Sequence, residues 1–292
     1  MLVAATVIWG SSFVIVKDVT GIISPTWLVC MRFIVAAAVL ALVFIGHRRL
    51  FFDRTHMLHG ILVGLAIFVG YYFQTIGITD TTPGKNAFLT GAYCAIVPFL
   101  AWAVARKRPN RFNIIAVFVC LAGIGFISLD GDFTIRFGDF MTLIGAVGFA
   151  MQIVLVAKYS EGKDVFVFTM WQFATVGVCA LAVAAFTEVP PDLASLDGAE
   201  WASLAYLTLV VTVVSFVIQN IGQAHTSPST AGLILSLESV FGAAFSIMLG
   251  AEVLSLKVGF GFALVFAAII ISEYLPERLG KGKAEKSLPS QS

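Results

Sequence analysis

Apolar residues in this chain come in long runs separated by short polar connections. The runs are too long for core helices of a soluble protein; a helix that crosses the hydrocarbon core of a bilayer needs about 20 such residues. They predict spans over 2–16, 25–45, 60–78, 83–104 and 112–129, and a second set over 140–157, 165–186, 201–221, 228–250 and 258–275. The first is short, as though its start were trimmed. No charged leader or small-residue cleavage site goes with it, so no removable signal is expected. Beyond residue 275 the chain turns polar and charged, with no packing signal.

Composition agrees with this reading. Of 292 residues, 59% are hydrophobic and 12% charged, and the mean hydropathy is +0.96. Soluble domains carry about a quarter charged residues, so this chain has too little polar surface to stay in water. A net charge of +1 excludes the basic face of a nucleic-acid binder. Cys30, Cys94, Cys120 and Cys179 each stand alone in an apolar run. They are expected to be small packed hydrophobes, without disulfides, metal or other cofactor.

Charge placement predicts orientation, because cytoplasmic loops collect Lys and Arg. With the N-terminus in the cytoplasm, the loops on that side hold Arg48, Arg49, Arg54, Arg106, Lys107, Arg108, Arg111, Lys158 and Lys163. The tail adds Arg278, Lys281, Lys283 and Lys286, making thirteen of the eighteen basic residues. The other side receives Lys17, Lys85, Arg136 and Lys257, and its loops are acidic. Both termini are therefore expected in the cytoplasm.

The chain also repeats itself. Phe73-Gln74-Thr75-Ile76-Gly77 followed by Thr81-Thr82-Pro83 is echoed by Ile218-Gln219-Asn220-Ile221-Gly222 followed by Thr226-Ser227-Pro228, at an offset of 145 residues. Arg32-Phe33 matches Gln172-Phe173 at 140, and Lys17 matches Lys158 at 141. A repeat of five spans is odd-numbered, so the second copy enters the membrane upside down. The expected fold is an all-α integral membrane protein of ten transmembrane helices in two inverted five-helix repeats. Residues 1–130 form the first, 131–276 the second, and 277–292 a cytoplasmic polar tail. Inverted repeats of this kind characterise secondary transporters, although duplication can also simply build a stable bundle.

These features resemble the EamA branch of the drug/metabolite transporter superfamily. The residues that carry the resemblance are Trp9-Gly10-Ser11-Ser12-Phe13, Arg32-Phe33, Gln74, Gly77 and Pro98 in the first half. In the second they are Gly138-Asp139, Phe149-Ala150, Thr226 with Pro228, and Leu235-Ser236-Leu237-Glu238-Ser239-Val240-Phe241. The resemblance implies a permease of the bacterial inner membrane, often an exporter of amino acids or related small metabolites, working by alternating access. The chain departs from the family where Ser239, rather than proline, follows Glu238. It departs again where Arg106 and Lys107 replace an acidic end of the fourth span.

An ionisable side chain in mid-bilayer costs about 2.5–3.5 kcal/mol on insertion scales and marks a functional site. Glu238 is the clearest case; its counterpart at the 145 offset is Tyr93. Asn86, Thr90 and Tyr93 share one helical face, and Thr212, Ser215 and Gln219 form a second polar stripe. With Trp9, Gln74, Gln152, Asn220 and Glu238, these residues are candidates for the lining of a central cavity that takes a small-molecule substrate. The Gln and Asn side chains equally suit hydrogen bonding between helices, and Trp9 equally suits packing. Arg32 either meets an anionic group of the substrate or snorkels to the headgroups, the latter slightly favoured. The 26 Phe residues read mostly as lipid-facing bulk. Pro83 and Pro228 fit the first turns of their helices.

Two other classes fit less well. An intramembrane enzyme needs a catalytic set at depth, but His47, His56, His59 and His225 lie at span ends or in loops and no HExxH occurs. A receptor or scaffold needs a docking domain, for which the loops are too small. The sequence lacks a Walker A pattern, so ATP is not the expected energy source.

Overall fold

The computed structural model describes residues 1–106, 109, 111–128, 136–251, 253 and 255–286. Among these every regular element is helical: α1 Leu2–Val19, α2 Pro25–Val43, α3 Arg54–Thr79, α4 Pro83–Gly91, α5 Tyr93–Ala105 and α6 Arg111–Ser128. There follow α7 Phe137–Tyr159, α8 Val165–Thr187, α9 Gly198–Ala205, α10 Ser215–Gln223, α11 Pro228–Met248 and α12 Leu256–Lys286. Eight helical stretches are long and apolar enough to cross a membrane, counting 83–104 and 198–223 as one each. Shorter apolar stretches lie in α6 and α12 at Arg111–Gly123 and Gly259–Ser272. The protein is a multi-pass membrane protein, with Leu42, Phe118 and Val178 among its outward-facing apolar side chains.

Helix starts follow local chemistry. Asp53 accepts the amides of Thr55 and His56 to open α3, and Asp164 accepts those of Phe166 and Val167 to open α8. Thr82 and Ser227 cap α4 and α11, each just before a proline whose missing N–H suits the first turn. Hydrogen bonds from Thr55 and His56 hold the exposed Asp53 carboxyl well below the usual carboxylate range.

Two spans are not plain α-helices. The fourth breaks at Ala92, between α4 and α5. The one at 198–223 carries a π-helical stretch, Tyr206–Val214, between α9 and α10; such turns concentrate at functional sites. The α11 helix is continuous past Glu238, as its departure from Glu-Pro allows. The α12 helix runs on to Lys286, well into the polar segment expected to begin at 277; residues 287–292 lie outside the described residues. Leu129, Lys107, Arg108, Asp130 and Asp132 also fall outside them.

The helices pack across the halves of the chain: α1 on α11, α2 on α8, α3 on α7, α4 and α5 on α11, and α6 on α12. With lipid as apolar as the side chains, close backbone approach drives such packing. At the α3–α7 seam a Cβ on Gly148 would lie 2.5 Å from the Gly70 nitrogen, and one on Gly145 2.8 Å from the Gly70 carbonyl oxygen. Gly148→Ala is therefore expected to destabilise the bundle by about 1–3 kcal/mol, seen as a lower melting temperature in detergent; an unchanged one would show that the seam can open without loss.

Polar bonds gather at the two ends of the bundle. At one end Glu188 accepts from Thr26 and Trp27, Asp80 accepts from the Gly138 amide, and Lys85 pairs with Asp139 at 2.8 Å. At the other, His47 meets Asp164 at 2.7 Å and the Asp164 amide donates to His56 Nε2. Cys94 and Cys120, far apart in sequence, bring their thiol sulfurs to 3.8 Å between α5 and α6, both as free cysteines.

Candidate functional site

Five of these helices supply stripes to one cavity, with α2, α4 and α5 each adding a single side chain. Trp9, Ser12, Phe13 and Val16 on α1 follow the spacing of one helical face, as do Tyr71, Gln74, Thr75 and Ile78 on α3. Arg32 of α2, Asn86 of α4, Tyr93 of α5, Phe149, Gln152 and Ile153 of α7, Phe216 and Gln219 of α10, and Leu235 and Glu238 of α11 complete the lining. The enclosed non-atom space is about 600 Å³, part of it open to solvent.

Of the twelve residues singled out from the sequence, eight line this cavity: Trp9, Arg32, Gln74, Asn86, Tyr93, Gln152, Gln219 and Glu238. The other four stand behind its wall. Thr90 accepts the Gln74 amide at 2.9 Å, and Asn220 donates to Thr169 and Gln172. Thr212 and Ser215 turn their hydroxyls onto the carbonyls of Leu207 and Val210, five residues earlier. The π turn causes this. Its wider ring shifts the helical face by one residue, so of the stripe Thr212, Ser215, Gln219 only Gln219 reaches the cavity.

Arg32 does not snorkel. It is 1% exposed; its Nη2 donates to Thr212 Oγ1 at 3.1 Å, and its guanidinium carbon lies 5.4 Å from the Tyr71 ring centre. Glu238 is 5% exposed. Neither has an ion-pair partner among the described residues. Trp9 is held by its indole N–H on the Val211 carbonyl at 3.0 Å and stands edge-on to Phe216. Tyr71 is edge-on to Phe33 and to Phe149. The aromatic content is thus not only lipid-facing, since Phe13, Phe149 and Phe216 face the cavity.

Several buried polar atoms of the lining have no hydrogen-bond partner among the described residues: Arg32 Nε, Asn86 Oδ1, Tyr93 Oη, Gln152 Nε2 and Gln219 Oε1. Buried polar groups are otherwise almost always paired, so their convergence on one cavity marks a place where polar solute or water completes the bonding. The residues missed in sequence, such as Ser12, Tyr71 and Thr75, were accessible from the helical spacing of Trp9 and Gln74. Phe216 was accessible as the counterpart of Tyr71 at the 145 offset. No group of three or more His, Cys, Asp or Glu side chains is placed to hold a metal among the described residues.

Comparison with known proteins decides the family. The EamA-like transporter family matches twice, over residues 1–129 and 136–274. The chain belongs to the EamA-like transporter family. Its similarity to other proteins extends over most of both chains. A protein of Archaeoglobus fulgidus described as an uncharacterized transporter is 30% identical over 270 residues, covering 92% of this chain and 83% of its own. The uncharacterized transporter YyaM of Bacillus subtilis is 21% identical, covering 92% and 91%. A solved structure titled "Crystal structure of protein" superposes with a TM-score of 0.74 at 15% identity, over 95% of this chain and 97% of that one; it shows a shared fold. As an EamA-like protein the chain is a transporter and not an enzyme.

Proposed function

We propose that this protein is a secondary transporter that exports small metabolites carrying both charges, such as amino acids, by alternating access of the central cavity. The observation that carries the substrate class is the pair Arg32 and Glu238. Two opposite charges, both buried, line one cavity, and neither has an ion-pair partner among the described residues. Holding them apart in a low-dielectric site is costly. A solute whose carboxylate meets Arg32 and whose ammonium meets Glu238 removes that cost for both. The aromatic walls suit the apolar part of such a solute, and the outward direction is carried over from the family resemblance.

Alternating access in this reading comes from ten spans in two inverted repeats, 1–130 and 131–276. Support comes from the cavity itself: Tyr71 and Phe216, Gln74 and Gln219, and Tyr93 and Glu238 all line it, and each pair is 145 residues apart. The cross-half packing is what a pseudo-two-fold axis in the membrane plane produces. The bias of basic residues supports a cytoplasmic side for both termini and the segment 277–292, and the bacterial inner membrane is carried over from the family resemblance.

Flux of a radiolabelled amino-acid mixture in proteoliposomes tests the reading. Saturable flux driven by an imposed proton gradient is expected. Folded, monodisperse protein that moves none of the mixture would overturn the substrate class.

A further inference from the structure

We propose that Lys17 is a releasable latch that closes the cavity at the end where α1 meets α2. The proposal rests on the reading of the cavity as the transport site and adds where that site is shut. Lys17 is the last basic residue of α1, and its ammonium donates to the Ile78 carbonyl at 2.8 Å and the Thr79 carbonyl at 2.9 Å. These carbonyls belong to the last turn of α3, where helix acceptors lack intrahelical partners and the dipole favours a cation.

The position of this bond matters more than its chemistry. Val16 and Ile78, the neighbours of Lys17 and Thr79, line the cavity, whereas Thr79 itself is exposed. One residue along each helix thus separates cavity from solvent, and the Lys17 bonds lie on that boundary. The α1 and α3 helices meet only lightly elsewhere, since α1 packs on α11 and α3 packs on α7. The seam between α1 and α3 is therefore one along which the bundle can part without breaking a tight interface.

Two kinds of polar contact at this end differ in how readily they open. Lys85 and Asp139 form an ion pair with the Asp139 side chain fully buried, and Thr81 also donates to Asp139. Opening that pair strands a buried charge, so it fixes α3, α4 and α7 as one block. Lys17 has no carboxylate within ion-pair distance among the described residues. It is half-buried, and when it lets go both the ammonium and the two carbonyls turn to water. A contact that water can replace suits a part that must release in every cycle.

Sided labelling tests this without knowledge of the substrate. Cys30, Cys94, Cys120 and Cys179 are replaced by Ala and a reporter is introduced as Ser12→Cys, on the cavity wall. A membrane-impermeant maleimide is then added to right-side-out or inverted vesicles. With Lys17 intact, labelling is expected to be slow from the side bearing the α1–α2 turn. Lys17→Met keeps the apolar stem and is expected to speed labelling from that side about tenfold, by shifting the open population. Lys17→Arg is expected to restore the slow rate. An unchanged rate in Lys17→Met, or an equal rise from both faces, overturns the latch and leaves Lys17 a simple helix cap. Absence of amino-acid flux would count against the proposed substrate instead, leaving the labelling result intact.

Discussion

Glu238→Gln is expected to cut net flux in proteoliposomes about tenfold or more while the protein folds and expresses normally. The amide has nearly the same volume and keeps a hydrogen-bonding end in the position facing the cavity. It cannot carry charge. If Glu238 meets the ammonium of the substrate, loss of one charge-assisted contact removes about 1.5–3 kcal/mol, or about one to two orders of magnitude in affinity. If it also exchanges a proton in the cycle, what flux remains becomes independent of pH, since no carboxyl is left there to titrate. Initial rates over a pH series, with Glu238→Asp for comparison, separate the two effects. Unchanged rate and unchanged pH dependence in Glu238→Gln would falsify any role for this residue in transport.

Arg32→Met is expected to move activity and stability in opposite directions. Methionine keeps much of the apolar stem but removes a guanidinium that lies beside the Phe33 and Tyr71 rings, is fully buried, has an unpaired Nε and has no ion-pair partner among the described residues. Replacing a buried charge with apolar bulk is often neutral or stabilising, by about 1–4 kcal/mol for paired groups. The Thr212 hydroxyl keeps its bond to the Leu207 carbonyl, so nothing on the π stretch is stranded. The melting temperature in detergent is thus expected to hold or rise, while transport of carboxylate-bearing solutes is lost. A fall in melting temperature with transport intact would make Arg32 structural glue and remove the anionic half of the proposed site.

The two variants probe residues that the sequence made visible to different degrees. Glu238 stood out because a lone carboxyl inside an apolar run needs a reason, and no packing detail was required. Arg32 was equally visible as a charge, but its direction was not. Snorkelling and cavity placement differ only in the rotamer and in what lies across the helix, and Thr212, across from it, is 180 residues away. The π stretch had no signal in its composition. Tyr206–Val214 is an ordinary apolar segment, and the turn is held by contacts from α1 and α2, at Trp9 and Arg32. For the same reason Thr212 and Ser215 read as cavity residues and are not. Cys94 and Cys120 were isolated in sequence and adjacent in space, since helices α5 and α6 place them so.

By itself, the sequence determined that this is an all-helical membrane protein, roughly where its helices run, and to which family it belongs. Those properties are local and additive: bilayer thickness sets the length of an apolar run, and caps and prolines set its ends. Only the tertiary structure decided which polar side chains share a cavity. A helix bordered by lipid on one side and by other apolar helices on the other shows little one-sided pattern, so its rotation about its own axis is set by neighbours. Close seams such as Gly177 on Ile34 of α2 and Gly10 on Gly242 of α11 fix that rotation, and with it the placement of Arg32 and Glu238 on one cavity.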